Sequence, residues 1–311
     1  MQPPGHPMNT PDKRSDLSSD ATYCGRFAPS PSGPLHLGSL LTAVASYLQA
    51  KVNHGQWRLR IDDIDPPREV PGAAQQIQRT LDAHGLHWDG DIVWQSQRHD
   101  AYHEALLQLR QQQLTYGCEC TRKALRQRQP DMLYDGFCRQ RGLPFDDNAE
   151  RFRQQGDTAV MVDALHGTLL CDDAHSREDF VLRRKDGLYA YHLASVVDDA
   201  YMGVSEIVRG SDLLQPSQSQ MALFQALNVS APTTLHLPVL VSRPGFKLSK
   251  QNHAAGIDDH RASENLTQVL TLLGHPPPDG LHTASPSTIL DWATAHWDLQ
   301  QIPAQSELQA P

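Results

Sequence analysis

The sequence predicts an α/β fold built on a parallel sheet, and three observations carry that expectation. Residues 22–61 read as strand, loop, helix and strand. The strands are Thr22-Tyr23-Cys24-Gly25-Arg26-Phe27 and Trp57-Arg58-Leu59-Arg60-Ile61, and between them a Pro/Gly-broken turn leads into a breaker-free run from Ser39 to Leu48. The same patterning returns at Phe180-Val181-Leu182-Arg183. It continues through residues 189–199 and Glu206-Ile207-Val208-Arg209-Gly210 to a helix expected over 217–227. The stretch between, 118–179, changes character: it holds cysteines, many charges and few long apolar runs, and it reads as an insertion. No internal repeat interrupts this plan.

Composition narrows the function. A chain of 311 residues, 39% hydrophobic and 20% charged, suits one large or two ordinary globular domains. It has no run of about 18 apolar residues, and its first 20 residues lack the apolar centre of a signal peptide, so a cytoplasmic protein away from membranes is expected. Those residues, rich in Pro, Ser, Asp and Asn, are expected to form a disordered tail. A formal charge of −9 argues against a general nucleic-acid binder, while leaving room for a local basic face.

Along the chain, the first chemical feature is the turn from Ala28 to Gly38. A helix entered near Gly38 presents unpaired N–H groups and a positive dipole end to a polyphosphate. Gly38 lets the ligand approach the backbone, and His36 is placed to donate a ring N–H to a phosphate oxygen. The next strand ends in Asp62-Asp63-Ile64-Asp65, where ligands of parallel sheets gather. Any one of these acids also suits a capped turn, and at least one is placed to bind an ammonium group. Helical spacing follows at 72–84 and 98–113, with a short strand at Ile92-Val93-Trp94 between them.

Three of the five cysteines crowd into residues 118–138. Cys118, Cys120 and Cys138 suit a tetrahedral zinc site whose fourth position is open among Tyr134, Asp131, Asp135 and water; three free thiols are the alternative. With no hydrolytic groups around it, such a zinc would be structural. Cys24 and Cys171 stand apart and read as buried small residues. Further on, Phe246-Lys247-Leu248-Ser249-Lys250-Gln251 places two lysines around a serine, a pattern suited to closing on a triphosphate.

The His36-Leu37-Gly38-Ser39 turn and the Lys247-Leu248-Ser249-Lys250 loop together resemble the two signatures of class I aminoacyl-tRNA synthetases. Residues 26–39, 60–63 and 206–210 resemble its glutamyl branch, and residues 22–255 are similar to the truncated paralogues of that branch, the glutamyl-Q tRNA(Asp) synthetases. The run Ile64-Asp65-Pro66-Pro67-Arg68-Glu69-Val70-Pro71-Gly72-Ala73-Ala74 belongs to this similarity. The resemblance implies a Rossmann-like parallel sheet flanked by helices, split into halves at 21–117 and 180–255 around a zinc-binding insertion at 118–179. A short helical C-terminal segment at 256–311 completes it.

It further implies ATP with Mg²⁺ as substrate and aminoacyl-adenylate chemistry, with His36 and Lys250 catalytic and His36, Gly38, Ser39, Lys247, Ser249 and Lys250 at the nucleotide. Arg26, Phe27, Ala28, Pro29, Ser30, Asp62, Tyr191 and Arg209 would hold glutamate. One structural Zn²⁺ would sit on Cys118, Cys120, Tyr134 and Cys138. Two cations at two strand ends, Arg26 and Arg209, favour glutamate over glutamine on charge alone. A bland reading of Arg209 is an ion pair with Asp198, Asp199 or Glu206. Ser39 replaces the second histidine of the general signature, as is usual in the glutamyl branch. Asp62 replaces the family's usual glutamate, which lengthens the contact to an ammonium group or inserts a water.

The implied acceptor is the queuosine base of tRNA(Asp), and a monomer is expected. Residues 256–311 carry Asp258, Asp259, Glu264, Asp279, Asp291, Asp298 and Glu307 against Arg261 as their one Lys or Arg, which ill suits tracking an RNA backbone. The catalytic domain would therefore meet its RNA directly, as an anticodon stem-loop. The alternatives are an ordinary glutamyl-tRNA synthetase charging a 3′ end and an inactive paralogue that only binds RNA or an amino acid.

Overall fold

The computed structural model describes residues 22–156, 159–171, 173–248 and 255–310. In chain order the elements are β1 (Cys24–Phe27), α1 (Leu37–Val52), β2 (Gln56–Ile61), α2 (Ala73–Ala83), β3 (Val93–Trp94), α3 (His99–Gln111), β4 (Thr115–Cys118) and α4 (Arg122–Arg128). Then come β5 (Ala149–Phe152), β6 (Ala159–Asp163), β7 (Gly167–Cys171), β8 (Val181–Arg183), α5 (Tyr191–Tyr201), β9 (Glu206–Gly210) and α6 (Leu214–Ala226). The chain ends in β10 (Thr233–Leu237), β11 (Val239–Arg243), β12 (Phe246–Lys247), α7 (Ala262–Leu272), α8 (Pro286–His296) and β13 (Glu307–Gln309).

Two parallel half-sheets form the scaffold. One has the order β1-β2-β3, the other β9-β10-β6 with β7 added antiparallel at its edge. They meet at a seam between β1 and β9, where Ser205 N–H donates to the Cys24 carbonyl at 2.9 Å and Cys24 N–H donates to Ser205 Oγ at 2.9 Å. Strand order reverses there, and such reversals leave a crevice at the carboxyl ends of the strands.

Burial explains why the strands hold. β1 is buried along its whole length, and α1 packs Leu40, Leu41, Val44 and Leu48 against Trp57, Leu59 and Ile61 of β2 and Leu235 and Leu237 of β10. The far side of α1 is covered by Leu266, Val269 and Leu270 of α7 and Ile289 of α8. Each such side chain contributes roughly 1.5–3 kcal/mol of burial energy. The predicted C-terminal helix thus closes the core, and it is followed by a second helix and a strand. A separate cluster joins Tyr102 and Leu106 of α3, Leu193 of α5 and Phe224 of α6.

Two differences from the sequence expectation have local causes. α6 starts at Leu214, three residues early, because Pro216 falls within the first turn, where its missing N–H is no loss. Strands of the 118–179 segment pair beyond it: β5 with β8, and β6 with β10 through Asp163 opposite Thr234. Asp163, His236 and Ser217 form a buried chain with contacts of 2.6 and 2.6 Å that ties β6, β10 and α6. No helix among the described residues is long and apolar enough to cross a membrane.

Candidate active site

A cleft of about 370 Å³ opens over the seam. Arg26 on β1 and Arg209 on β9 face it from neighbouring strands, and Asp62 enters just past the end of β2. Phe27, Ala28, Pro29, Ser30, His36, Gly38, Ser39, Tyr191 and Lys247 line it as well. The structure therefore gathers in one cavity every described residue that the sequence pointed to for an amino acid or a nucleotide. Ser249 and Lys250 lie outside the described residues.

His36 is the N-cap of α1. Its Nδ1 accepts the Ser39 N–H at 3.3 Å, while the Ser39 hydroxyl oxygen accepts the His36 N–H at 2.8 Å, a reciprocal capping box. With Nδ1 acting as acceptor, the neutral ring carries its proton on Nε2, the nitrogen suited to donating to a phosphate. A Cβ on Gly38 would come within 3.2 Å of the His36 ring, so glycine is what lets the imidazole fold back over the helix start. Among the described residues the N–H groups of Leu37 and Gly38 have no partner, as an anion site at a helix start requires.

On the β1 side the charges are linked in a chain. Arg26 Nε donates to Asp199 at 3.0 Å; Arg60 donates to the same oxygen of Asp199 at 2.6 Å and grips Asp62 with two nitrogens at 2.7 and 3.4 Å. Burial would raise the Asp199 carboxyl, but Arg26 and Arg60 outweigh it and hold it below its ordinary range. Burial lifts Asp62 to about 6 against the pull of Arg60, and the nearby Asp198 and Asp199 add to the rise.

On the β9 side the situation is reversed. Arg209 Nη1 donates to Tyr191 Oη at 3.2 Å and to Gln220 Oε1 at 3.0 Å, and no carboxylate among the described residues bonds it. Its Nε and Nη2 have no partner among the described residues. Burial lowers its pKa, and burial followed by the Arg209 charge pushes the adjacent His192 down to about 4, leaving that ring neutral.

The ion pair that a bland reading gives Arg209 with Asp198, Asp199 or Glu206 does not form, because those acids are engaged elsewhere among the described residues. Asp198 accepts from Arg98, Tyr102 and Gln95, Asp199 from Arg26 and Arg60, and Glu206 from the Tyr23 hydroxyl. Of the acid cluster, Asp63 caps Ser96 and Asp65 pairs with Arg68 and Arg184, so Asp62 alone faces the cleft. Sequence reasoning missed Arg60, Asp199 as a bridge, and Gln220. An arginine inside an apolar strand and an acid pair inside an apolar helix were the available signals.

The cysteine cluster lies apart, in a small core with Tyr116 and Leu125. The sulfurs of Cys118, Cys120 and Cys138 all lie within 4.8 Å of one another, Cys120 and Cys138 at 3.5 Å, and Tyr134 Oη is 3.4 Å from Cys118. A tetrahedron with Zn–S near 2.3 Å has edges of about 3.8 Å, so the donor set fits. Burial and the Cys118 thiol hold the Tyr134 hydroxyl above the ordinary phenol range, so a phenolate there needs a cation beside it. Arg151, Arg128 and Arg141 approach Cys118, Cys120 and Cys138 at 3.3, 3.3 and 3.9 Å, matching anionic sulfurs. Of the other candidates for the fourth position, Asp135 is gripped by Arg128 and Asp131 accepts the Leu133 N–H.

Comparison with known proteins agrees with this geometry. The family described as "tRNA synthetases class I (E and Q), catalytic domain" matches residues 24–143 and 146–282. A glutamyl-Q tRNA(Asp) synthetase of Photorhabdus laumondii is 50% identical over 288 residues, covering 92% of this chain and 90% of that protein. One from Klebsiella pneumoniae is 49% identical over 284 residues, covering 91% and 96%. The solved glutamate-tRNA synthetase of Elizabethkingia anophelis superposes with a TM-score of 0.76 at 25% identity, over 93% of this chain and 68% of that one. A seam that places two arginines and a capped helix start in one cleft, within a chain half identical to these relatives, marks a ligase: the protein belongs to the glutamyl-Q tRNA(Asp) synthetase family of class I aminoacyl-tRNA synthetases.

Proposed function

We propose that the protein activates L-glutamate with ATP and passes the glutamyl group to the queuosine base in the anticodon of tRNA(Asp). The observation that carries this reading is Arg209, a buried guanidinium with two nitrogens unpartnered among the described residues, lining a cleft that Arg26 shares. A buried cation without a counter-charge costs several kcal/mol, and a ligand carboxylate removes that cost. Two guanidinium walls suit a dicarboxylic amino acid and disfavour its amide.

Arg26 and Arg209 receive the two carboxylates, Tyr191 supplies a hydroxyl beside Arg209, and Phe27, Ala28, Pro29 and Ser30 shape the wall. Asp62, with both oxygens already oriented by Arg60, meets the α-ammonium. The triphosphate lies along the α1 start, with His36 Nε2–H, the Leu37 and Gly38 N–H groups, Ser39, Lys247, Ser249 and Lys250 around it. A glutamate α-carboxylate oxygen attacks the α-phosphorus of ATP, the bond to the bridging oxygen breaks, and pyrophosphate leaves with its charge stabilised by Lys250. An acceptor hydroxyl then attacks the glutamyl carbonyl, and AMP departs.

Class I membership implies use of ATP, and Mg²⁺ would accompany it as part of the substrate. Cys118, Cys120, Tyr134 and Cys138 would hold one structural Zn²⁺, which when bound cross-links the end of β4 to the loop after α4. The test is glutamate-dependent ATP–pyrophosphate exchange, followed by transfer of labelled glutamate to tRNA(Asp) from cells with and without queuosine. Exchange together with queuosine-dependent labelling is expected. Label on the 3′ adenosine would make the protein an ordinary glutamyl-tRNA synthetase, and absence of exchange an inactive paralogue.

A further inference from the structure

The last described residues form a strand against the wall of the cleft. β11 and β12 make a hairpin whose base, Val239, Leu240, Lys247 and Leu248, lines the cavity next to the α1 start. This hairpin belongs to neither half-sheet, and its neighbour is β13. A two-stranded hairpin alone is marginally stable in water, so the third strand supplies much of its order.

The pairing is regular along its length. Val239, Leu240 and Val241 stand in parallel register with Glu307, Leu308 and Gln309. Val239 N–H donates to the Ser306 carbonyl at 3.0 Å, and Ala310 N–H donates to the Val241 carbonyl at 2.8 Å. At the hairpin tip, the Glu307 carboxylate accepts the N–H of Gly245, a turn glycine with φ of 78°, at 3.1 Å, and Gln309 Nε2 donates to the Ser242 carbonyl at 2.6 Å.

At the other end the strand is tied to the turn after β9, beyond Arg209, and lies behind the hairpin residue that packs against the start of α1. Ser211 Oγ donates to the Ser306 carbonyl at 2.7 Å, just past the end of β9. Leu240, held opposite Leu308, has its Cβ 3.8 Å from where a Cβ on Gly38 would lie, against the start of α1. Ile302, 3% exposed, anchors the run in the core. Among the described residues no hydrogen bond joins this strand to Arg26, Arg60, Asp62, Tyr191 or Arg209.

We infer that residues 306–310 are a positioning strand for the nucleotide end of the cleft, acting through β11 and β12 and not by touching ATP. The inference rests on the proposed reading that the α1 start and Lys247 face the triphosphate. Its distinguishing consequence is one-sided: disturbing the strand loosens the ATP end and leaves the glutamate end as it was.

The test uses full-length Leu308→Pro, which places a residue without an N–H in the middle of the strand, together with Glu307→Ala and Glu307→Gln. In glutamate-dependent exchange, Leu308→Pro and Glu307→Ala are expected to raise the KM for ATP about tenfold and shift the KM for glutamate by less than about twofold. Glu307→Gln, which still accepts the Gly245 N–H, should restore the ATP KM. If Leu308→Pro fails to fold, the Glu307 pair gives the same readout. Unchanged ATP KM in the variants, or equal rises for both substrates, overturns the inference while normal exchange in the unaltered protein leaves the reading of the cleft intact. No exchange in the unaltered protein overturns that reading and the inference with it.

Discussion

On the β1 side of the cleft, Arg26 and Arg60 share Asp199 and Asp62 closes the chain, whereas on the β9 side Arg209 is held, among the described residues, by the dipoles of Tyr191 and Gln220. The first arrangement is complete without a ligand: each charge has a counter-charge, so the geometry is set when the chain folds. The second carries a buried charge that no carboxylate among the described residues bonds. A binding site gains from both, because one wall orients the substrate and the other gives binding an electrostatic driving force.

The comparison is broken or sharpened first by Arg209→Met. The kcat/KM for glutamate should fall about a thousandfold, the scale of truncating one partner of a buried charge pair. Thermal stability should stay level or rise, because an uncompensated buried cation is removed. A large drop in melting temperature alongside the lost activity would show that Arg209 is balanced in the ligand-free fold after all.

Asp199→Asn probes the opposite wall. Removing this carboxylate leaves the buried Arg26 without a counter-charge and Arg60 with Asp62 alone, and urea denaturation should show a loss of about 3–5 kcal/mol. Equal stability in the two proteins would mean that Arg26 and Arg60 do not depend on Asp199.

A subtler difference is expected in pH dependence. On the proposed reading Asp62 meets an ammonium group only when ionised, and burial lifts its carboxyl to about 6, so kcat/KM for glutamate should fall about tenfold per unit below that pH. Asp62→Asn should be low and flat over the same range, while Asp62→Glu keeps the dependence and binds at least as well. Stability runs the other way. A folded-state pKa raised above the unfolded value contributes stability that is full below the unfolded pKa and is lost as pH rises through about 6. A wild-type profile without a break between pH 5 and about 7 would remove Asp62 from ammonium recognition.

The smallest effect on the cleft is expected from the cysteine cluster. Protein purified without chelator should carry about one zinc per chain, and Cys138→Ser should release it and destabilise the segment around 118–142. The glutamate KM should move by less than about twofold, since no hydrogen bond among the described residues links the cluster to Arg26, Arg60 or Arg209. Metal analysis finding no zinc would dispose of the site.

Much of the site was legible because its signals are local. The turn into α1 announces itself by proline and glycine followed by a helix-forming run, and the cysteines by their crowding within one short segment. The partner of Arg209 was not legible. Adjacent Asp198 and Asp199 leave α5 about 100° apart, so one turns to Arg98 and Tyr102 and the other to Arg26 and Arg60, and neither reaches Arg209. β13 was equally hidden: Glu307-Leu308-Gln309 is too short to show a strand period, and its pairing depends on where β11 happens to run.

By itself, then, the sequence determined which chemical groups exist and which local elements carry them: the capped helix start at His36, the acid ending β2, the arginines of β1 and β9, the thiols around Tyr134. Tertiary structure decided which of those charges cancel. Arg26 meets Asp199 across 173 positions of chain and Arg60 meets it across 139, and such meetings follow from how the half-sheets and α5 pack. Hydrophobic patterning fixes that packing without regard to charge, so the sequence alone named the arginines and only the packing of β1, β9 and α5 left Arg209 without a carboxylate partner among the described residues.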